Sequence, residues 1–282
     1  MSFPLTTPSR DESSRSRDSS DQCRWAAEAG LDLYGLRVGI RSNRADLLTQ
    51  MLLRLPTGWK HARARPFDRS YSLWADGADY PAMLYRGSRL VLQNVSCEEA
   101  LARLEYDVEL FVVENNPERV FVHAGVVGWH GRAIVIPGRS YSGKSTLVAA
   151  LCHAGATYYS DEYAVFDADG RVHAYPRPLR LRQTSDGRPP VATDQHLRLG
   201  EEPLPLALVV LTRYQSGACL QPQTVSPGEA LLALLANTMS ARRRPELVLT
   251  SLQRALTGGR VVAGPRGEAG ETAEQLLRLA GH

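Results

Sequence analysis

The eight residues Gly138-Arg139-Ser140-Tyr141-Ser142-Gly143-Lys144-Ser145 constrain this chain more than any other segment. They follow the apolar, β-prone run that ends at Pro137 and precede the helix-like run "KSTLVAALCHAG", with Gly155 as its expected C-cap. Every fixed position of the pattern G-x-x-x-x-G-K-[ST] is met, in the order strand, loop, helix. Two glycines let a backbone turn tightly and bring its N–H groups to phosphate oxygens. The N-terminus of the following helix adds a positive dipole end. Lys144 can reach the β- and γ-phosphates, and Ser145 can offer its hydroxyl to Mg²⁺. The expected cofactors are therefore ATP and Mg²⁺. The expected cradle is Gly138, Arg139, Ser140, Tyr141, Ser142, Gly143, Lys144, Ser145 and Thr146. The competing reading is an accidental Gly/Ser loop. Lysine usage argues against it: of 33 basic residues only Lys60 and Lys144 are lysine. A chain that otherwise uses arginine has placed an ammonium where a flexible point charge is the useful form.

The first acids after the loop helix are Asp161 and Glu162, at the end of "ATYYS". If that strand neighbours the loop strand, both carboxylates lie beside the γ-phosphate. There Asp161 can accept a proton from an attacking hydroxyl, and Ser145, Asp161 and Glu162 can hold Mg²⁺. The plain alternative is a strand-end turn with solvated acids. His123, in "VFVHAGVVGW", joins the same candidate site on the strand before the loop strand; a histidine between valine and alanine is more often a hydrogen-bonded core residue. His130, in the Trp-His-Gly turn, is expected to be exposed. Two arginine groups could steady charge on a transferring phosphoryl group: Arg177, Arg180 and Arg182, or Arg242, Arg243 and Arg244. The alternatives are a solvated strand face for the first and helix C-terminal charge for the second.

The rest of the chain frames this site. A composition of 43% hydrophobic and 22% charged residues is that of a globular chain long enough for one large or two modest domains. The net charge of +3 gives no ground for a nucleic-acid or membrane partner. Cys23, Cys97, Cys152 and Cys219 are scattered without a C-x-x-C pair, which argues against a disulfide framework or zinc ribbon and suits a reducing cytoplasm. No apolar h-region opens the sequence, and the longest apolar runs are too short to span a bilayer. Residues 1–22, rich in Ser, Arg and Asp, read as a disordered leader. Residues 33–118 read as a small α/β unit, closed by a helix with a Ser-x-x-Glu start at Ser96 and apolar spacing at Ala100, Leu101, Leu104, Val108 and Phe111. Residues 119–282 read as the catalytic domain. Within it 184–203 form a polar loop that could cover an active site, and "LPLALVVLTRY" a buried strand. "SPGEALLALLANT", "PELVLTSLQRAL" and "ETAEQLLRLA" read as helices.

The segments "HAGVV", "AIVIPGRSYSGKSTL" and "GATYYSDEYAV" together resemble the C-terminal catalytic domain of HPr kinase/phosphorylase. The likeness covers about residues 119–182. It implies an α/β fold with a mixed sheet around the P-loop, like that of phosphoenolpyruvate carboxykinase. Matched residue by residue, it implies that Asp161 is the catalytic base, Glu162 the second acid and His123 a histidine near the phosphates. The chain departs from the family in having Glu162 where the family has Asp, in Ser160 before the pair, and in lacking the Glu-x-Arg-Gly-Leu-Gly segment that helps bind the protein substrate. That lack counts against HPr itself as acceptor. Relatives of this shape also phosphorylate a serine on a ribosomally made peptide.

The leading expectation is an ATP-dependent kinase acting on a serine or other hydroxyl of a protein or peptide, with Asp161, Lys144 and His123 as its catalytic groups. A small-molecule kinase with the same site and a non-catalytic ATP-binding regulator are the alternatives. A homo-oligomer is compatible with all three.

Overall fold

The computed structural model describes residues 25–55, 59–62, 66–77, 81–139, 142–177, 179 and 197–281. The expected leader, Ser140, Tyr141, Arg180, Arg182 and most of the expected loop 184–203 lie outside the described residues. The chain forms two compact units. One holds residues up to Leu31, Arg37–Arg54 and His61–Tyr106; the other holds Asp32–Leu36, Leu55–Lys60 and the chain from Asp107 onward.

The first unit is built on a six-stranded sheet. Its strands are β1 (Ala27–Leu33), β2 (Leu36–Ser42), β3 (Lys60–His61), β4 (Arg69–Ala75), β5 (Ala82–Arg86) and β6 (Arg89–Val95), in spatial order β3-β1-β2-β4-β5-β6. Tyr34 (φ 56°) and Gly35 (φ 87°) join β1 to β2, both left-handed as a two-residue hairpin turn requires. β2 and β4 are parallel, so the chain must cross over between them, and helix α1 (Ala45–Leu53) lies on that crossover, burying Leu47 and Met51. Helix α2 (Cys97–Asn115) starts as its sequence predicts: the Glu99 N–H donates to Ser96 Oγ at 3.1 Å. The expected stripe of Ala100, Leu101, Leu104, Val108 and Phe111 is buried throughout.

The second unit is a three-layer arrangement. Its strands are β7 (Val120–Trp129), β8 (Arg132–Pro137), β9 (Thr157–Ser160), β10 (Tyr163–Phe166), β11 (Val172–His173), β12 (Leu206–Tyr214), β13 (Gln223–Thr224) and β14 (Arg260–Arg266). They order as β11-β10-β7-β8-β12-β14-β13, with β9 also paired to β7. β8, β12 and β14 run parallel, whereas β7 is antiparallel to β8, β9 and β10, so the sheet is mixed. The Trp-His-Gly turn is the predicted tight hairpin between β7 and β8, with His130 at φ 47° and Gly131 at φ 73°, and His130 is exposed.

Alternate residues of the central strands feed two cores, as the period of two demands. On one face Val122, Ala124, Val126 and Val135 pack with Ala230 and Leu234 of helix α4 (Pro227–Leu235) and with Val248 and Leu252 of α5 (Pro245–Thr257). On the other face Val127, Ile134 and Ile136 pack with Leu147, Val148 and Leu151 of α3 (Lys144–His153) and with Ala273 and Leu276 of α6 (Ala269–Ala280). No helix among the described residues is long and apolar enough to cross a membrane.

Gly125 sets how closely α3 approaches the sheet. A Cβ there would lie 2.5 Å from Val148 Cγ2, well inside contact distance. Gly125→Ala therefore forces α3 outward, and overpacking of this kind costs about 1–3 kcal/mol. Urea unfolding should show the midpoint lowered by that loss; an unchanged midpoint would mean that α3 yields freely.

Candidate functional site

β8 carries the chain to the sheet edge at Pro137, opposite Ala124 of β7. The loop leaves the sheet still tied to it, since the Gly138 N–H donates to the His123 carbonyl at 3.2 Å. It re-enters regular structure at Gly143, whose φ of +81° is the left-handed conformation that a side chain resists. A Cβ at Gly143 would also lie 2.5 Å from Arg266 Nη2. The sequence pattern's second glycine is thus required by backbone angle, and a side chain there would also have to displace the Arg266 guanidinium. The following helix, α3, has no side-chain cap and no acid in its first turn. Its leading N–H groups have no side-chain acceptor among the described residues, at the positive end of the helix dipole.

Two cations converge on this turn. Lys144 is 7% exposed, and its Nζ donates to the Arg139 carbonyl at 2.9 Å. Burial pulls the Lys144 pKa down, while the nearby Glu162 and Asp161 push it back up. Arg266, at the end of β14, is 4% exposed. It donates through Nη2 to the Gly143 carbonyl at 3.0 Å and through Nη1 to the Gly267 carbonyl at 3.1 Å. Among the described residues Arg266 makes no ion pair with a carboxylate, and its guanidinium lies 5.5 Å from the centre of the Tyr214 ring.

The acids arrive from β9 and β10, which are neighbours of β7 and not of the loop strand, so β7 stands between the two. This corrects the simplest expectation. Ser160 pairs with Val126 and Tyr163 with His123, which sets Asp161 and Glu162 beside Gly125 and Ala124. Ser160 Oγ holds the bend by accepting from the N–H groups of Glu162 (3.1 Å) and Tyr163 (2.9 Å). Asp161 comes near the first turn of α3 all the same, close enough for the Ser145 hydroxyl to lower its pKa.

The two carboxyls sit in opposite electrostatic environments. Asp161 is 5% exposed, and burial raises its pKa, against the lowering effect of hydrogen bonds from Ser145 and Tyr158; the Glu162 charge raises it further. The Tyr158 hydroxyl lies 2.9 Å from Asp161 Oδ1 and 2.9 Å from the Arg177 carbonyl, which fixes the carboxyl's orientation. Glu162 is half-exposed and has its pKa lowered, first by the hydrogen bond with His123, whose Nε2 is 3.2 Å from Oε2, and then by the charges of His123, Lys144 and Arg177. His123 thus meets Glu162, while its own backbone N–H donates to the Asn237 carbonyl at 2.8 Å. Thr146 is exposed on α3.

The arginines divide. Arg177 pairs with Glu109 of α2 and is close enough for its charge to lower the pKa of Glu162. Arg243 pairs with Glu114 at 3.0 Å and Arg244 donates to the Asn116 carbonyl, so these two anchor the end of α2. Arg266, which among the described residues touches the loop, is in neither group that sequence reasoning singled out. Its strand is announced only by Arg260-Val261-Val262, two β-branched residues before a Gly-Pro pair. Tyr158 was missed as well, its hydroxyl's role being set by the bend at Ser160.

Among the described residues no group of three or more His, Cys, Asp and Glu could hold a metal ion. Ser145, Asp161 and Glu162 offer oxygen donors only, the set that suits a magnesium ion retaining most of its water.

The split carboxyls make a stability prediction of opposite signs. Asp161 binds its proton more tightly in the folded state, so its ionised form costs stability at neutral pH, and the cost fades as pH falls through its raised pKa. Asp161→Asn should therefore be more stable than the parent at pH 7, with the gain shrinking in acid. Glu162 has a lowered pKa, so it contributes stability above its unfolded value that is lost as pH falls through the folded one. Glu162→Gln should be less stable at pH 7, with the deficit shrinking in acid. Denaturant midpoints from pH 3 to pH 8 measure both; equal signs would refute the assignment. No protein-family model matches this chain and no curated protein matches it.

Proposed function

We propose that the second unit is a P-loop phosphotransferase of the HPr kinase/phosphorylase kind, transferring the γ-phosphoryl group of ATP to a serine or other hydroxyl of a protein or peptide. The observation that carries this reading is the meeting, at the N-terminus of α3, of the buried Lys144 ammonium with the Asp161 and Glu162 carboxyls whose charges act on it, and of the Ser145 hydroxyl, which lowers the Asp161 pKa. A phosphate-seeking helix end, a point charge, a metal-seeking hydroxyl and a candidate base thereby share one corner. The mixed sheet supports the phosphoenolpyruvate carboxykinase-like form over an all-parallel one, because the loop strand has an antiparallel neighbour on one side and a parallel one on the other.

The chemistry follows from positions and charges. Lys144 and the first N–H groups of α3 bind the β- and γ-phosphates, and Lys144 exchanges its Arg139 carbonyl for phosphate oxygens. Ser145 with Asp161 or Glu162 would hold Mg²⁺, which when bound supplies charge neutralisation on the phosphates. Asp161 accepts the proton of the attacking hydroxyl as the new O–P bond forms and the bond to the ADP oxygen breaks. Its raised pKa makes it a stronger base than a solvated aspartate, and Tyr158 keeps it oriented. Glu162, held ionised by His123, keeps the site's negative charge on the metal-binding side. Arg266 fixes the left-handed turn at Gly143 from behind.

Lys144→Ala and Ser145→Ala should each abolish Mg·ATP binding in calorimetry while leaving the circular dichroism unchanged. Asp161→Asn should keep nucleotide affinity but lose roughly a hundredfold to ten-thousandfold in phosphoryl transfer, the range for loss of a general base. Slow ATP hydrolysis, with water in place of the acceptor, is the first assay. Full activity in Asp161→Asn would move the base elsewhere; loss of Mg²⁺-dependent affinity would make Asp161 chiefly a metal ligand.

A further inference from the structure

Glu109 is a charged residue on the packed side of α2, next to the buried Val108. Its side chain is 17% exposed and forms an ion pair with that of Arg177, which is 15% exposed. Burial raises the Glu109 pKa, and the Arg177 charge opposes that. Apolar side chains of the same size often stabilise a fold as well as a buried ion pair does. What this pair holds in place is therefore the informative question.

Arg177 leads to the candidate base through its main chain. Two residues earlier the Tyr175 N–H donates to the Tyr159 carbonyl at 3.0 Å, which ties this segment to β9. The Arg177 carbonyl lies 2.9 Å from the Tyr158 hydroxyl, and that hydroxyl lies 2.9 Å from Asp161 Oδ1. Tyr158 has one hydroxyl proton and stands between two acceptors. Where the Arg177 carbonyl stands therefore decides how the hydroxyl meets Asp161. Glu109, Arg177, Tyr158 and Asp161 all belong to the second unit.

The end of α2 has other ties. Arg243 pairs with Glu114 at 3.0 Å, and Arg244 donates to the Asn116 carbonyl. Leu104, Val108 and Val112 bury its apolar face. These ties involve neither Tyr158 nor the segment from Tyr175 to Arg177, so anchoring the helix and holding Arg177 are separable. Resting on the phosphotransferase reading above, we propose that Glu109 is a positioning residue for phosphoryl transfer, holding Arg177 so that the Tyr158 hydroxyl aims Asp161 at the acceptor. Removing one partner of a buried ion pair leaves the other charge uncompensated. Without Glu109 the Arg177 side chain turns toward water and draws its own carbonyl with it. A misplacement of ~1 Å at a reacting group can cost about a hundredfold in rate.

Steady-state ATP hydrolysis by the full chain, with water as acceptor, tests this. Glu109→Gln should lower kcat at least ~10-fold with the KM for ATP unchanged, the mark of an interaction that acts in the transition state alone. Glu109→Asp, a shorter carboxylate, is the milder second variant and should show the same split with a smaller loss. Tyr158→Phe should lower kcat as well. Adding Glu109→Gln to it should cost no more than ~2-fold further, because both changes break one chain of contacts. Glu114→Gln, which breaks the Arg243 tie, should leave kcat unchanged. Unchanged kcat in folded Glu109→Gln, or in Glu109→Asp where the first variant does not fold, overturns the proposal. So do a loss carried by KM and losses that multiply in the double variant. An equal loss in Glu114→Gln overturns it in favour of plain anchoring of α2. A parent that turns over no ATP overturns the phosphotransferase reading and this proposal with it, whereas an active parent with independent variants keeps that reading and overturns the Glu109 assignment alone.

Discussion

Pairing along both edges of β7 is the constraint from which the site follows. On one edge Ala124 meets Pro137, fixing where the glycine-rich loop leaves the sheet. On the other edge Val126 meets Ser160 and His123 meets Tyr163, fixing where the acids stand. Because a one-residue slip in a strand turns every side chain to the other face, that double register cannot drift without moving a whole core face into the wrong layer. Gly125, between the two, lets α3 pack close against the sheet, with the Ser145 hydroxyl near enough to Asp161 to lower its pKa.

Electrostatics then distinguishes groups that sequence makes look alike. Asp161 and Glu162 are adjacent carboxyls, yet burial raises the pKa of one and His123 lowers that of the other. Pairs of titratable groups pushed apart in this way divide the acid–base roles of a site between them. The cations are arranged with similar economy. Lys144 is buried, which lowers its pKa, with Glu162 and Asp161 near enough to oppose that, and Arg266 donates to backbone carbonyls. Lys144 is therefore free to change partner, and Arg266 holds the turn.

Much of this was legible from local pattern. The loop's Gly-Lys-Ser signature, the Trp-His-Gly hairpin, the acid pair between two short strands and the α2 stripe all depend on residues within a few positions of one another. What sequence did not reveal depends on distant pairing. β14 joins the sheet through a parallel ladder with β12, and its Gly264-Pro265 reads locally as a strand breaker. β1, "AEAGLDL", has little β propensity and exists as a strand through its neighbours in the sheet. Residues 197–200, read as the end of a covering loop, instead pair with β9: the Tyr158 N–H donates to the Arg198 carbonyl at 2.8 Å, and the Gly200 N–H to the Tyr158 carbonyl at 2.9 Å. Arg266 was hidden in the same way, being one of 31 arginines with nothing local to distinguish it.

The central claim is that the turn at Gly143 and the start of α3 form a phosphate cradle. A crystal structure of the full chain with Mg²⁺ and a non-hydrolysable ATP analogue tests it most directly. The account predicts phosphate oxygens on the first N–H groups of α3, Lys144 Nζ turned from the Arg139 carbonyl onto phosphate, and the Ser145 hydroxyl on the metal. An analogue bound elsewhere on the chain, with Lys144 still on the Arg139 carbonyl, would contradict it.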